Sequence, residues 1–236
     1  FKPDVIDGNF RSLYIKYPSA KVAKSAEASD LTKQERPLPE SYQFRGETRK
    51  ITDWIDRSQT TGLLVIKDGV IVHEQYLRGN TANTQAIARS LSKSIISFLV
   101  GNAVADGLID LAAPVEKYAP VLAEGGYKGV SVKNVLQMSS GARWNEDYSD
   151  RTSDVARLGA AMAPGGSLDA FVATALPESA PGTVCQYNST DTQALGTLLV
   201  RATGRSITDY MQEHLYEPLG MESDGYWLLD ATGREM

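Results

Sequence analysis

The sequence contains few of the residues that metal sites and disulfides require. It has one cysteine, Cys185, and two histidines, His73 and His214, which stand far apart. A single cysteine excludes a disulfide within the chain, and so few soft ligands argue against a zinc or non-haem iron site. We therefore expect no metal and no other cofactor.

The charge pattern also excludes some classes of partner. The formal net charge is -5 at pH 7 over 236 residues, and no run of lysine or arginine occurs. Nucleic acids and anionic membranes attract basic patches, so binding to either is not expected. No apolar stretch approaches the length that spans a bilayer. With 42% hydrophobic residues, the chain is expected to fold as a soluble globular protein with a sizeable core.

The N-terminal fifth of the chain differs in composition from the rest. Residues 1–46 are rich in proline, serine and charged side chains and have little hydrophobic periodicity. We predict an extended arm here. Ile51, Trp54 and Ile55 then follow at helical spacing and predict a helix that ends near Gly62.

A β-hairpin is the clearest element of the next stretch. Residues 63–67 and 70–76 flank Asp68-Gly69, the dipeptide that a type I′ turn favours. Further along, only residues 226–229 resemble another strand. Because a lone hairpin is marginal in water, we predict an incomplete sheet.

The central part of the chain is predicted to be helical. Ser131, Thr152 or Ser153, and Ser167 are candidate caps of three short helices. Two further helices are predicted over about 190–202, closed by Gly204, and over about 206–215. We therefore predict an α/β (α+β) fold with a small antiparallel sheet flanked by helices, in which 47–105 and 204–236 form an α/β domain and 106–203 a mainly helical domain.

Ser90 and Lys93 are the candidates for chemistry. They begin an apolar stretch that predicts a helix through about Val104, ended by Asp106-Gly107. Side chains three residues apart share a helix face, so the amine can reach the hydroxyl. Because the stretch is apolar on almost every side, we predict a buried helix in which burial favours the neutral amine, a base that can activate the serine. The alternative is that Ser90 only caps the helix and Lys93 lies at the surface.

Tyr187, in the stretch 181–189, is the second candidate. A phenolate beside a cationic lysine can take the serine proton and later give it to the leaving group, a step worth about 10² to 10⁴ in rate. The chain has 11 tyrosines, so a structural role is the alternative for any one of them.

Several motifs together resemble one family, the β-lactamase-like serine hydrolases. This superfamily includes class C β-lactamases, D-alanyl-D-alanine peptidases, family VIII esterases and 6-aminohexanoate-dimer hydrolase. The resemblance covers roughly residues 47–236. The motifs are Ser90-Leu-Ser-Lys93, Gln137-Met-Ser-Ser-Gly141, Pro181-Gly-Thr183, Tyr187-Asn-Ser189 and Glu217-Pro-Leu-Gly-Met221.

The resemblance implies a role for individual residues. Ser90 matches the acylated nucleophile and one backbone N–H of the oxyanion hole, and Lys93 and Tyr187 match its proton-transfer partners. Ser189 stands where class C β-lactamases have an asparagine that contacts substrate, which weakens an antibiotic-hydrolysing function. The segment 144–150 resembles the 6-aminohexanoate-dimer hydrolase branch, in which a loop tyrosine, here Tyr148, closes over the substrate. An exposed loop aromatic is the alternative for Tyr148.

The family's third motif, on a later strand, does not occur in these residues. We therefore expect the remaining strands of a β-lactamase/transpeptidase-like fold to lie C-terminal to residue 236, or to be supplied as a separate chain. The expected function is hydrolysis of small amides or carboxylic esters through an acyl-enzyme. The alternatives are a β-lactamase or D-alanyl-D-alanine carboxypeptidase, and a non-catalytic binding protein on the same scaffold. The sequence leaves the compartment open, with the periplasm favoured over the cytoplasm.

Overall fold

The computed structural model describes residues 5–163 and 165–235, which fall into two compact units. The first unit comprises Ala28–Ile87 and the described part of Phe1–Leu13. The second comprises Tyr14–Glu27 and the described part of Ala88–Met236.

The described chain begins with short helices and strands, continues as a run of helices and ends on a strand. The helices are α1 (Ile6–Phe10), α2 (Leu13–Lys16), α3 (Ile51–Arg57), α4 (Leu91–Ala105), α5 (Val132–Leu136), α6 (Asp154–Ala161), α7 (Leu168–Ala173), α8 (Ser189–Thr203) and α9 (Ile207–Met211). The strands are β1 (Ser19–Val22), β2 (Ser41–Phe44), β3 (Glu47–Lys50), β4 (Gly62–Lys67), β5 (Val70–Tyr76) and β6 (Gly225–Leu228). Single 3₁₀ turns span Val115–Lys117, Pro120–Leu122 and Gly125–Tyr127, and a wider π turn, Gln212–Tyr216, continues α9.

Two antiparallel hairpins, β2–β3 and β4–β5, form the strand pairs of the first unit. In the second hairpin Asp68 and Gly69 have φ angles of 53° and 76°, as a type I′ turn requires, so the predicted hairpin is confirmed. The backbone of residues 32–36 also runs beside β5, where the Gln34 N–H donates to the Ile71 carbonyl at 2.8 Å.

The segment predicted as an extended arm, residues 1–46, contains regular secondary structure. The described part of this segment, which excludes residues 1–4, contains α1, α2, β1 and β2. Strand β1 pairs antiparallel with β6 in the second unit, with Val22 opposite Gly225. The predicted strand at 226–229 therefore exists, but its partner lies about 200 residues earlier in the chain, where nothing local signals the pairing.

The core of the second unit forms where α4 packs against α8. Four side chains of α4 are buried, Ile96, Leu99, Val100 and Ala103, together with Ala194, Leu195, Leu198 and Leu199 of α8. Burying each leucine fully contributes roughly 1.5–3 kcal/mol relative to leaving it exposed. This core fixes the direction of α4 and so the position of Ser90 at its N-terminus.

The structure corrects the prediction that α4 is buried on almost every side. Leu91 is 63% exposed and Phe98 is 46% exposed, so the helix buries one face only. Lys93, near its start, is half-buried. Lys93 is therefore only partly buried, rather than enclosed as predicted.

Most predicted helix ends are confirmed by hydrogen bonds. The hydroxyls of Ser131, Ser153 and Ser167 each accept from a backbone N–H in the first turn of α5, α6 and α7. Ser153, rather than Thr152, is the cap of α6. Gly204 ends α8 with a φ of 68°, the left-handed conformation that glycine adopts without strain.

The fold class is confirmed: helices and small antiparallel sheets form a mixed α/β architecture. The two compact units nevertheless group the chain differently from the predicted domains, because α4, residues 106–203 and residues 204–235 all belong to the second unit. Within the described residues, no helix is both long enough and apolar enough to cross a membrane.

Candidate active site

Ser90 immediately precedes α4, but its side chain does not cap the helix. The residue is already helical, with φ of -65° and ψ of -10°, and its hydroxyl makes no capping hydrogen bond. The alternative role as a helix cap is therefore not observed. Lys93, one turn later, donates from Nζ to Ser90 Oγ at 3.3 Å.

Tyr187 approaches the same hydroxyl from a distant part of the sequence. Its phenol donates to Ser90 Oγ at 2.6 Å, across 97 residues of chain. Lys93 Nζ lies 5.1 Å from the centroid of the Tyr187 ring, within the range of a cation–π interaction. The structure thus brings together the three residues that the sequence singled out for chemistry.

Tyr187 is held in place by its chain neighbours. The Gln186 backbone N–H donates to the Met138 carbonyl at 2.8 Å, and the Gln186 side-chain amide donates to the Trp144 carbonyl at 2.9 Å. On the other side, buried Asn188 caps α8 by accepting from the N–H of Thr190 at 2.9 Å. The phenol therefore projects from a segment that is anchored on both sides.

The backbone at the start of α4 is unusual. Arg89 has a φ of 49°, a left-handed conformation that is uncommon for a residue with a Cβ atom. Such conformations cost about 1–3 kcal/mol and concentrate at functional sites. Among the described residues, no acceptor pairs with the N–H of the next residue, Ser90, so that donor can face a substrate oxygen.

Tyr148 and Ser189 meet at a residue that the sequence analysis missed, Glu146. The Tyr148 phenol donates to Glu146 Oε1 at 3.0 Å, and Ser189 Oγ lies 3.0 Å from both carboxylate oxygens. Tyr148 is 65% exposed. Glu146 stands in a loop with several other acidic residues, so nothing in the sequence distinguished it.

Four influences raise the pKa of the Tyr148 phenol above its ordinary value. Partial burial contributes most, followed by the hydrogen bond to Glu146 and the negative charge of Glu146. Tyr187 adds a further, smaller electrostatic contribution in the same direction. The two phenols are therefore close enough to influence each other.

A buried carboxylate, Asp191, lies in the first turn of α8. Asp191 accepts from the hydroxyls of Ser140 at 2.7 Å and Tyr127 at 2.9 Å, while its other oxygen has no partner among the described residues. Burial raises the pKa of Asp191 to about 6, although both hydrogen bonds act in the opposite direction. Ser140 belongs to the Gln137–Gly141 motif, so Asp191 ties this motif to α8.

The described residues contain no group of three or more histidine, cysteine, aspartate or glutamate side chains arranged to hold a metal ion. The hydrogen bonds around Ser90 support the chemistry of an activated serine. A hydroxyl held by an amine and a phenol can lose its proton to either group as it attacks a carbonyl carbon.

Comparison with known proteins identifies the family. The family model described as Beta-lactamase matches residues 48–233. The 6-aminohexanoate-dimer hydrolase of Paenarthrobacter ureafaciens is 30% identical over 186 residues, which is 76% of this chain and 47% of that protein. A Beta-lactamase of Escherichia coli K12 is 26% identical over 182 residues, or 72% of this chain and 45% of that protein. The chain spans about half the length of the curated relatives it matches.

Solved structures share the fold. A putative 6-aminohexanoate-dimer hydrolase from Bacillus anthracis superimposes with a TM-score of 0.90 at 18% identity, covering 100% of this chain and 64% of that one. The hydrolase EstCE1, described as having promiscuous acyltransferase activity, gives a TM-score of 0.59 at 17% identity over 78% of this chain and 53% of that one. At these identities the structures support the fold alone. The extent of the family-model match is what shows that the chain belongs to the beta-lactamase family.

Proposed function

We propose that the full-length protein, a beta-lactamase-fold hydrolase, is a serine hydrolase that cleaves small amides or carboxylic esters through an acyl-enzyme. The observation that carries this proposal is the convergence of Lys93 Nζ and the Tyr187 phenol on Ser90 Oγ, at 3.3 and 2.6 Å. Both distances lie at or close to hydrogen-bonding range, as proton transfer to or from the hydroxyl requires.

In the acylation step Ser90 Oγ attacks the substrate carbonyl carbon, and its proton passes to the Lys93–Tyr187 pair. The acceptor is either the neutral amine or the phenolate, and we assign the pair jointly because both groups contact the same oxygen. The C–O bond forms as the carbonyl π electrons move to its oxygen. The resulting oxyanion faces the Ser90 N–H.

Collapse of the tetrahedral intermediate breaks the bond to the leaving group. The pair returns the proton to the departing amine or alkoxide, which leaves the acyl group on Ser90. Water then repeats the sequence: the pair takes a proton from water as it attacks the ester carbon, and gives it back to Ser90 Oγ as the acid departs. No proton is gained or lost by the enzyme over the cycle.

Stabilising the oxyanion requires a second donor besides the Ser90 N–H. Removing one such donor in another serine hydrolase costs about 2.7–4 kcal/mol, so the second donor is essential for full activity. By the family resemblance, we propose that it comes from a strand outside these 236 residues. Activity is therefore proposed for the full-length protein.

The proposed substrate class rests on the relatives and on the loop that carries Tyr148. One relative is named 6-aminohexanoate-dimer hydrolase, and its name supports a linear amide as substrate. Tyr148 is exposed and close to Tyr187, so its phenol is suited to contact a substrate bound at Ser90. Ser189, two residues beyond Tyr187, is the second proposed substrate contact.

Active-site labelling tests the proposal directly. A fluorophosphonate probe should form an adduct at Ser90 of the full-length protein, and Ser90→Ala should abolish both labelling and hydrolysis of p-nitrophenyl esters. Ser97→Ala is the matched control, since Ser97 is an exposed serine of the same helix and should leave both unchanged. Labelling at another serine, or hydrolysis by Ser90→Ala at the wild-type rate, would overturn the role of Ser90 as the nucleophile. A full-length wild type that neither reacts with the probe nor hydrolyses any of these substrates would favour a non-catalytic scaffold.

A β-lactamase or D-alanyl-D-alanine carboxypeptidase is the second candidate. It is favoured by relatives with these names in Escherichia coli, which are 26% and 25% identical. Turnover of nitrocefin far above that of p-nitrophenyl esters and of linear amides would favour this candidate over the amidase or esterase.

A further inference from the structure

We propose that Glu146 is a positioning residue, which ties the Tyr148 loop to the segment carrying Tyr187 and so holds both phenols at Ser90. This inference rests on the proposed function and deepens it. It assigns no contact between Glu146 and the substrate. Glu146 is proposed to affect the reaction only by holding Tyr148 and Tyr187 in position.

Three donors converge on the Glu146 carboxylate, two from its own loop and one from the start of α8. The Trp144 indole N–H donates to Oε2 at 2.5 Å, and the Tyr148 phenol donates to Oε1 at 3.0 Å. Ser189 Oγ, at the first residue of α8, lies 3.0 Å from each oxygen and shares its proton between them. Charge-assisted hydrogen bonds of this kind are roughly twice as strong as neutral ones.

The number of donors decides between a positioning role and a chemical one. A carboxylate offers about four lone-pair sites on its two oxygens. The indole, the phenol and the shared serine proton occupy them through four contacts. Glu146 is also half-buried. Little of this carboxylate is left for activating water or binding a substrate group, whereas it is well placed to fix its three neighbours.

The contact with Ser189 connects Glu146 to the Tyr187 phenol. Ser189 is two residues after Tyr187, and the intervening Asn188 donates to the Ala142 carbonyl at 3.3 Å. With the contact between Gln186 and the Trp144 carbonyl, the segment before α8 is attached to residues 142–146 on both sides of Tyr187. If the Glu146 contact is lost, the phenol can move away from its 2.6 Å contact with Ser90.

Substitution of Glu146 in the full-length protein tests the inference. Glu146→Ala should lower kcat for a p-nitrophenyl ester by about ten- to a hundredfold, the loss expected from a misplacement of about 1 Å, with KM changed less than about threefold. The exposed Glu222 provides a matched control, and Glu222→Ala should leave kcat unchanged.

Glu146→Gln separates positioning from the effect of charge. The glutamine carbonyl can accept from the Trp144 indole, and its amide can donate to the hydroxyls of Ser189 and Tyr148, which can reverse their roles. We expect this variant to recover kcat to within about threefold of the wild-type value. A Glu146→Gln variant as slow as Glu146→Ala would overturn the inference, because the charge itself would then be required.

Ser189→Ala tests whether Glu146 acts on Tyr187 through Ser189. It also replaces Glu146→Ala as the test if that variant does not fold. Groups that act as one unit have non-additive effects, so kcat of Glu146→Ala combined with Ser189→Ala should be no lower than kcat of Glu146→Ala alone, while loss of the proposed contact between Ser189 and substrate should raise KM. If the losses of kcat in the two single variants multiply in the double variant, Glu146 does not act through Ser189. An unchanged kcat in Glu146→Ala would overturn the positioning role even if Ser90→Ala is inactive. Activity of Ser90→Ala would instead overturn the proposed function itself.

Discussion

The Ser90 hydroxyl shows how backbone conformation just before a helix can leave a side chain without a capping bond. Serine before a helix usually accepts from a backbone N–H of the first turn, as the hydroxyls of Ser131 and Ser153 do here. Ser90 is itself helical and makes no such bond, so its oxygen accepts from Lys93 and Tyr187 instead. These two hydrogen bonds agree with the proposed role of Ser90 as nucleophile, and neither is a capping bond.

The phenol oxygen of Tyr187 is the part of the site that a single substitution isolates best. Tyr187→Phe removes the 2.6 Å contact with Ser90 and retains the ring beside Lys93. We expect kcat for a p-nitrophenyl ester to fall by about 10² to 10⁴, the usual contribution of a proton-transfer group. Because the side chain is 47% exposed, the melting temperature should change little.

Tyr226→Phe is the control for that experiment. Tyr226 belongs to β6, and its ring stacks on Tyr14 with 4.7 Å between centroids. Loss of this hydroxyl should leave kcat at the wild-type value. A Tyr187→Phe variant with full activity would assign proton transfer to Lys93 alone.

Residues with a short-range signal in the sequence were predictable, and residues defined by distant partners were not. Ser90 and Lys93 are three apart on one helix, so their contact could be expected from spacing. Tyr187 was reached through the resemblance of its motif. Glu146 could not be singled out, because its significance lies in three donors, one of them 43 residues later in the chain.

At the scale of elements, the β4–β5 hairpin has a short-range signal in the sequence, whereas the β1–β6 pair joins strands that are distant in sequence. The β4–β5 turn was predictable because Asp68-Gly69 requires left-handed φ angles at two adjacent positions. Strand β1 gave no signal, since its four residues include one buried side chain, Val22, and its partner follows about 200 residues later. Pairing of this kind depends on tertiary packing that local patterns do not encode.

Asn188, the cap of α8, contributes both to the stability of the fold and to the position of Tyr187. Its amide oxygen accepts from the N–H of Thr190 at 2.9 Å and of Asp191 at 3.3 Å, and the side chain is buried. Asn188→Ala should reduce the free energy of unfolding by about 0.5–2 kcal/mol, the usual cost of losing a cap. Because Tyr187 is the adjacent residue, kcat should also fall, by about tenfold.

The cap of α9 supplies a matched control. Ser206 accepts from the N–H of Asp209 at 3.0 Å, and Ser206→Ala should cost a similar amount of stability while leaving kcat unchanged. Chemical denaturation and steady-state kinetics on both variants measure the two effects. Equal losses of kcat in both would mean that activity follows stability in general, rather than the anchoring of Tyr187.

At the scale of the whole molecule, the buried Asp191 should make stability depend on pH in a direction opposite to that of most acidic residues. Its pKa in the folded protein is about 6, above the ordinary value of 3.8, chiefly because of burial. Between these two values the folded state binds more protons than the unfolded state, so the free energy of unfolding falls as pH rises. The full loss, on the order of 2–3 kcal/mol, is reached above the folded pKa.

Comparison with Asp191→Asn isolates this contribution, because the variant has no carboxyl to titrate at this position. Urea unfolding of both proteins at pH 4 and pH 7 should show the wild type losing about 2–3 kcal/mol more than the variant over this interval, since other groups cancel in the difference. Ser140→Ala provides a second check. The Ser140 hydrogen bond lowers the pKa of Asp191, so its removal should extend the loss of stability to higher pH. A difference between wild type and Asp191→Asn that is constant with pH would mean that Asp191 titrates alike in the folded and unfolded chains, and that its burial does not raise its pKa.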